Sequence, residues 1–482
     1  MQRNRLYKLI LFTVLLISGF ACKKHEYYQV NPNLPSVATP ALLLTNIAAT
    51  TFNLWPMDAA FAGRHMTYYE RPNVYVNYNW STGSFGSYDV LRQVKKMEEL
   101  STGNLGNNYK GLAKFFRSYH FISLTEVFGD IPYTDALKAT DGNVKPKYDA
   151  QKDIYMGVLN ELEEANALLD PANGSIEGDI IYGGNAAKWK KLVNAFRLRV
   201  LIHLSKKEND ATLNVKGQFQ SIISNPAKYP LMQSSLDNGQ LVYNTTAVSN
   251  YYPLYQNNSI PSLAALEKGY VDLLKSRSDP RLFKIAQPIP GQPAGVFSSY
   301  AGVDAGLTVA DQVDASQFAS KIAIRYIEDP VNEPMILLGF GEQEFLIAEG
   351  IARGWATGAA ATHYQNGIIA SMNFYGVAPA DIQTYLARPD VVYNPTNAIS
   401  MIITQKYLSF FLNTGWEAFF EQRRTGIPTL STGPGTQNGG LVPKRWMYPQ
   451  SEFSYNAENV QTAVQTQFAG NDDINKLLWV LQ

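Results

Sequence analysis

One cysteine, Cys22, is all that 482 residues carry, so no disulfide can close within the chain. Neither sign of charge is in excess. The 41 basic residues balance 41 acidic ones, and a chain without a net field has nothing to draw it to nucleic acid. Histidine is scarce: His25, His65, His120, His203 and His363 show no HExxH or other ligand spacing, so no metal site is expected. The Gly-x-Ser-x-Gly elbow, the Walker A loop and the Rossmann glycine fingerprint are all missing, and with them any sign of a cofactor or catalytic residue. A glycosidase needs only two carboxylates joined by the fold, so composition alone leaves that class open.

Apolar runs long enough to span a bilayer are lacking too. The one marked run, Leu9 to Ile17, follows Arg3, Arg5 and Lys8 and precedes Ser18, Gly19, Phe20, Ala21 and Cys22, the layout of an export signal. Cys22 stands where the acylated first residue of bacterial lipoproteins stands, and the segment resembles their lipobox; the other reading is a stray thiol in a cleavable leader. The sequence therefore predicts a lipoprotein signal peptide over 1–21 and a polar, Pro-rich, lipid-anchored tether over 22–40. A palmitate-type acyl group would contribute about 0.8 kcal/mol per buried methylene, and more than one chain makes the anchoring stable. Residues 41–482 are expected to form a single domain.

Helical periodicity dominates what remains. In Leu112 to Tyr133 the apolar residues Leu112, Phe115, Phe116, Tyr119, Ile122 and Phe128 fall three or four apart, and Gly129 and Pro132 close the helix. A helix from about Tyr88 to Leu100 should pair with it across a Gly/Asn turn. Further stripes, Ile154 to Leu169 after an Asp149 cap and Trp189 to Leu204 after an Asn185 cap, form a second pair. Helical order returns at 341–375 and again at 398–426, where Asn413, Thr414 and Gly415 make a tight turn. These pairs, at about 88–128, 150–205, 341–375 and 398–426, predict a mainly α fold. Its four tetratricopeptide-like helical hairpins stack as an α-solenoid-like scaffold. Between them, about 228–334 is rich in Pro, Gly, Asn, Ser and Tyr and is expected to be a loop-rich lobe.

Aromatic residues are over-supplied at 12%, with 29 tyrosines. They concentrate in Thr67 to Trp80, TYYERPNVYVNYNW, and in Tyr243 to Gln256, YNTTAVSNYYPLYQ. A sugar presents a CH face and a hydroxyl edge, so its site needs flat apolar platforms beside amide partners. Tyr75, Tyr78, Trp80, Tyr251, Tyr252 and Tyr255 are the candidate platforms, with Asn77 and Asn79, and further Asn73, Asn250 and Asn257, as polar partners. The competing expectation is that these rings pack loops onto the scaffold or face a partner protein. Arg423 and Arg424 after Glu417 and Glu421 are expected to cap and ion-pair, Asp279 and Arg281 to form an ion-paired turn, and Lys188, Lys190, Lys191, Arg197 and Arg199 to line the polar side of an amphipathic helix.

Six stretches occur in one order: AKFFRSYHFISLTEVFGDIPY, AAKWKKLVNAFRLRVLIHLS, SDPRL, GEQEFLIAEGIARGW, QKYLSFFLNTGWEAFFEQRRTGIP and VPKRWMYPQSEF. As a set they resemble the SusD/RagB family of Bacteroidetes outer-membrane lipoproteins, in the branch with a large loop region before the first repeat. The resemblance implies a tetratricopeptide-like scaffold with an irregular ligand-facing lobe. It further implies a surface-exposed protein, lipid-anchored to the outer membrane, that captures oligosaccharide nutrients for a SusC-like TonB-dependent transporter. Peptides or protein fragments are the alternative cargo; an assembly protein and a glycoside hydrolase are the remaining readings.

Overall fold

The computed structural model describes residues 37–482, so the predicted signal, Cys22 and nearly all of the tether lie outside the described residues. Nine helices carry the scaffold: α1 (Pro40–Phe52), α2 (Ser87–Leu100), α3 (Gly103–Phe128), α4 (Gln151–Leu168), α5 (Ala186–His203), α6 (Phe340–Ala352), α7 (Ala360–Phe374), α8 (Ala398–Ser409) and α9 (Glu417–Thr425). The mainly helical class expected from periodicity is what the chain adopts. Each of α2/α3, α4/α5, α6/α7 and α8/α9 is packed as a pair, and α3 also lies along α4, while α6 crosses onto α5 and α8. No helix of the described residues is long and apolar enough to cross a membrane.

The packing core of the first pairs is aromatic. Trp189 of α5 is fully buried among Phe52, Phe115, Phe116 and Tyr182, with ring centroids 5.2 to 6.1 Å away. Its indole N–H donates to Asp179 Oδ2 at 2.8 Å, which satisfies the one polar atom the ring brings inside. Helix α3 ends at Gly129, whose φ of +87° is open to glycine and strained for other residues.

Two local expectations are corrected. The Gly/Asn stretch 103–108, expected as the turn between α2 and α3, is the first part of α3. Buried Asn108 explains this, since it accepts from Asp170 N and donates to Gly174 O, and those tertiary bonds outweigh weak helix propensity. Asp149 does not cap α4. Its carboxylate instead accepts from Tyr133 N and Thr134 N, and Asp130, delivered by the turn after Gly129, takes the Gln151 N–H at 2.8 Å. Helix α1, which follows the tether, is not among the expected helices, although it buries Leu44, Ile47, Ala48, Thr51 and Phe52 on one face.

A second hydrophobic core gathers the loop-rich lobe. It includes Met57, Phe61, Met66 and Val76 from before the first pair, Tyr252 to Tyr326 from the expected loop region, and Tyr407 to Leu412 from the end of α8. Two short antiparallel ladders join distant pieces. Strand β1 (Met66–Tyr68) pairs with β3 (Ala264–Leu266), and β2 (Gly239–Leu241) pairs with β4 (Met335–Leu338), which runs into α6. The lobe is thus built from stretches far apart in the chain; the Tyr243 to Gln256 segment packs into it, while the Thr67 to Trp80 segment is shared, with Val76 in this core and Tyr78 and Trp80 in the core of the helical scaffold.

Candidate functional site

Half of the predicted platform residues lie inside. Trp80 is 5% exposed, stacked on Trp446 with centroids 4.8 Å apart, and its N–H donates to Arg445 O. Tyr78 is fully buried and donates to Ala62 O, Tyr252 is buried beside Tyr243 and Tyr326, and Asn77 donates to Gly435 O. None of these four can meet a sugar from solvent. Hydrophobic burial claimed rings that loop composition had marked as available.

The asparagines are spent on hydrogen bonds within the loops. Asn73 accepts from Tyr75 N and Val76 N, Asn257 from Ser259 N and Ile260 N, and Asn250 donates to Asn244 and Thr246. Asn73 and Asn257 thus close Asx turns, a common reason for Asn in a loop. Asn79 stays exposed and donates to Gln437 Oε1.

At the surface remain Tyr75, Asn79, Tyr251 and Tyr255. Tyr251 and Tyr255 stand perpendicular, centroids 5.2 Å apart, both half-buried. Tyr75 packs its edge on Trp416, 5.4 Å between centroids. Trp416 precedes α9, is half-exposed, and was missed because the sequence placed it within a helix. Trp55, in the break between α1 and the next helix, is 47% exposed and was also missed, being a lone ring outside both aromatic clusters. Between Trp55 and Tyr75 sits Asp58, whose carboxyl burial pushes up, with the Trp55 N–H opposing; burial and then the Asp58 charge raise the Tyr75 hydroxyl. The second aromatic segment reaches the same end of α1: Tyr243 donates to Asn53 Oδ1 at 3.1 Å, two residues from Trp55.

Trp416 also forms the wall of a cavity of about 200 Å³ between the helical pairs, lined further by Leu54, Tyr119, Arg199, His203 and Phe420. Its floor is a buried charge network. His203 Nε2 lies 2.8 Å from Glu417 Oε1, and Nδ1 makes an off-line ion contact with Glu126 at 2.9 Å. Burial alone would lower the imidazole, but Glu417 and Glu126 outweigh it and hold it up at about 10. Burial likewise opposes ionisation of both acids, and His203, with Arg423 for Glu126 and Arg199 for Glu417, still brings each down to about 2.

Donor atoms of His203, Glu417 and Glu421 come within 4.8 Å of one another. The protein's own cations already answer that charge: Glu421 pairs with Lys406 at 3.0 Å and Arg424 at 2.5 Å, and Arg424 reaches Glu349. The donor set suits an ion-pair network better than a metal. Arg423 and Arg424 ion-pair as expected from sequence, and Asp279 and Arg281 form a fully buried pair at 2.6 Å. Arg197 and Arg199 do not line a solvated face; both are buried, because their carboxylates, Glu163 and Glu342, arrive from other helices.

Residues 32–449 match the family model SusD-like_2, described as starch-binding associating with outer membrane. Among solved structures, the chain is 39% identical to a Bacteroides vulgatus ATCC 8482 protein described as of the outer membrane and of nutrient binding. That alignment covers 92% of this chain and 100% of that one, with a TM-score of 0.86. A SusD homologue from Bacteroides fragilis NCTC 9343 is 33% identical over 92% and 100% of the two chains, TM-score 0.87. A chitin-binding protein is 26% identical over 92% and 99%, TM-score 0.75. No curated protein matches the chain. The chain belongs to the SusD-like family of nutrient-binding, outer-membrane-associated proteins.

Proposed function

We propose that this protein captures oligosaccharide at the cell surface without cleaving it and passes it to a SusC-like TonB-dependent transporter, held to the outer membrane by lipid on Cys22. The observation that carries the proposal is the set of surface rings, exposed Trp55 with half-buried Tyr75 packed on half-buried Trp416, of which Trp416 walls an open cavity of about 200 Å³. Rings of this kind take the CH face of a sugar, each adding about 0.5–1.5 kcal/mol beyond area burial. Three such contacts give micromolar or weaker binding, which suits a receptor that must release its cargo. The carboxylates beneath, Glu126, Glu417, Glu421 and Glu342, are tied up with His203, Arg423, Lys406, Arg424 and Arg199, so none is free to act as acid, base or nucleophile.

Calorimetry of the soluble chain against malto- and chito-oligosaccharides tests this, with chromatography of the same mixtures for new reducing ends. Saturable heat without new ends supports capture; turnover would replace it with hydrolysis, and heat only from a peptide mixture would change the cargo class. Cys22→Ser should move the protein from membrane to soluble fractions, and co-purification of the transporter with the anchored protein tests the delivery step.

A further inference from the structure

Six buried arginines among the described residues meet carboxylates: Arg199 meets Glu342 at 2.6 Å, Arg281 meets Asp279 at 2.6 Å, Arg424 meets Glu349 at 2.7 Å, Arg423 meets Glu126 at 2.9 Å, and Arg197 and Arg445 pair with Glu163 and Asp472. Arg64 does not. It is 1% exposed, its Nε donates to Ser431 O at 3.1 Å and its Nη1 to Phe61 O at 3.3 Å, while Nη2 has no hydrogen-bond partner among the described residues. Its guanidinium lies 3.9 Å from the Tyr78 ring centroid, and its backbone is held at φ +60°, a region non-glycine residues seldom occupy. Arginine cannot discard its proton, and although the Glu267 carboxylate feels its charge, no carboxylate among the described residues comes within ion-pair distance, so Nη2 is left as a buried donor without an acceptor. Strain of this sort collects at ligand sites.

Arg64 borders a cavity of about 240 Å³ with Glu267, Tyr270, Leu273, Tyr407 and Leu430. Gly269 and Thr429 at its rim are exposed and Leu273 is half-exposed, so it opens to solvent between the Lys268–Ser276 helix and residues 428–431. It shares no lining residue with the cavity beside Trp416. We propose that this second cavity binds an acidic sugar unit, with Arg64 as the charge and hydrogen-bond partner of the sugar carboxylate.

The choice of carboxylate over sulfate or phosphate follows from the neighbours. Glu267 lies near Arg64, with Asp304 in turn near Glu267, and a doubly charged anion would be repelled by both. Glu267 Oε2 already accepts from Gly269 N and Tyr270 N, so it is fixed as the cap of its helix. Burial pushes its carboxyl up to about 7, against the pull of Arg64, which eases the seating of a second acid beside it. The choice of a sugar follows from the walls: two tyrosine rings and two leucines offer apolar surface to a CH face, and the volume suits one ring.

The test is calorimetry of the whole folded chain against methyl β-D-glucuronide, methyl β-D-glucoside and N-acetylglycine. The glucuronide should bind and the other two should bind at least tenfold more weakly. Arg64→Lys, which keeps the cation but loses the fork, should weaken the glucuronide about tenfold. Leu273→Trp narrows the mouth without touching Arg64 and should abolish the signal while leaving the far-UV spectrum and melting temperature near those of the parent. Equal affinity for glucuronide and glucoside, no binding of either, equal affinity for N-acetylglycine, or an unaltered signal in Leu273→Trp would each overturn the proposal. Binding of neutral oligosaccharide at the Trp416 edge is scored separately, so failure of one site is distinguishable from failure of the other.

Discussion

Arg199 of α5 and Glu342 of α6 meet fork to fork, Nε to Oε1 at 2.6 Å and Nη2 to Oε2 at 2.6 Å, with side chains 5% and 2% exposed. The pair joins the scaffold built before the loop-rich lobe to the scaffold built after it, across 143 residues of chain. Arg199 also donates to Leu337 O, at the end of β4, so the junction includes the strand that leads into α6.

Removing one partner should therefore cost far more than removing both. Arg199→Met leaves an unpaired carboxylate buried and should destabilise by about 3–5 kcal/mol, while Arg199→Met with Glu342→Leu should recover a large part of the loss. Urea unfolding of the two variants and the parent decides it; equal losses would mean that the pair contributes by packing alone.

His203 makes stability depend on pH in a definite direction. Its folded value, about 10, lies above its ordinary value of 6.5, so its contribution is whole below 6.5 and is lost as pH rises through about 10. Glu126 and Glu417, at about 2 against an ordinary 4.5, contribute above 4.5 and lose it as pH falls through about 2. Between pH 7 and 9 the proton on His203 should lower unfolding free energy by about 1.4 kcal/mol per pH unit. His203→Gln should lack that slope. Parallel pH profiles for parent and variant would show that the imidazole is neutral in the folded chain.

Periodicity made the helices legible because each long stripe has one buried face, as in Leu112, Phe115, Phe116 and Phe128. What it could not show was which partner completes a side chain. Arg199 reads as surface charge until Glu342 is placed against it, and Tyr78, Trp80 and Tyr252 read as loop aromatics until the scaffold core closes over the first two and the second core over the third. Local composition marked the correct segments, Thr67 to Trp80 and Tyr243 to Gln256, yet misassigned half the rings. The partner of Tyr75 was equally invisible: Trp416, more than three hundred residues later, packs against its edge.

Gly367 in α7 is a case where local propensity and packing oppose each other. Alanine would gain up to about 1 kcal/mol of helix propensity. A Cβ there, however, would lie 2.7 Å from the Phe345 ring of α6, closer than van der Waals contact allows. Overpacking of this kind costs about 1–3 kcal/mol, so Gly367→Ala should be net destabilising. A melting temperature equal to or above that of the parent would show that the two helices can part without penalty.

Two tryptophans 5 to 7 Å apart should separate binding from folding. Trp416 is half-exposed at the cavity mouth and Trp80 is 5% exposed behind it, with 6.4 Å between their centroids. Trp416→Ala removes a stacking surface and should weaken oligosaccharide about 3- to 10-fold, as should Tyr75→Ala, with modest change in stability. Trp80→Ala empties a site walled by Trp446, Phe419 and Tyr78 and should cost about 3–5 kcal/mol of stability. Calorimetry and urea unfolding on the same three proteins read both quantities. If Trp80→Ala, still folded, lost affinity while Trp416→Ala kept it, the ligand would enter by opening the loop-rich lobe, and the exposed ring edge would be a packing surface for another protein.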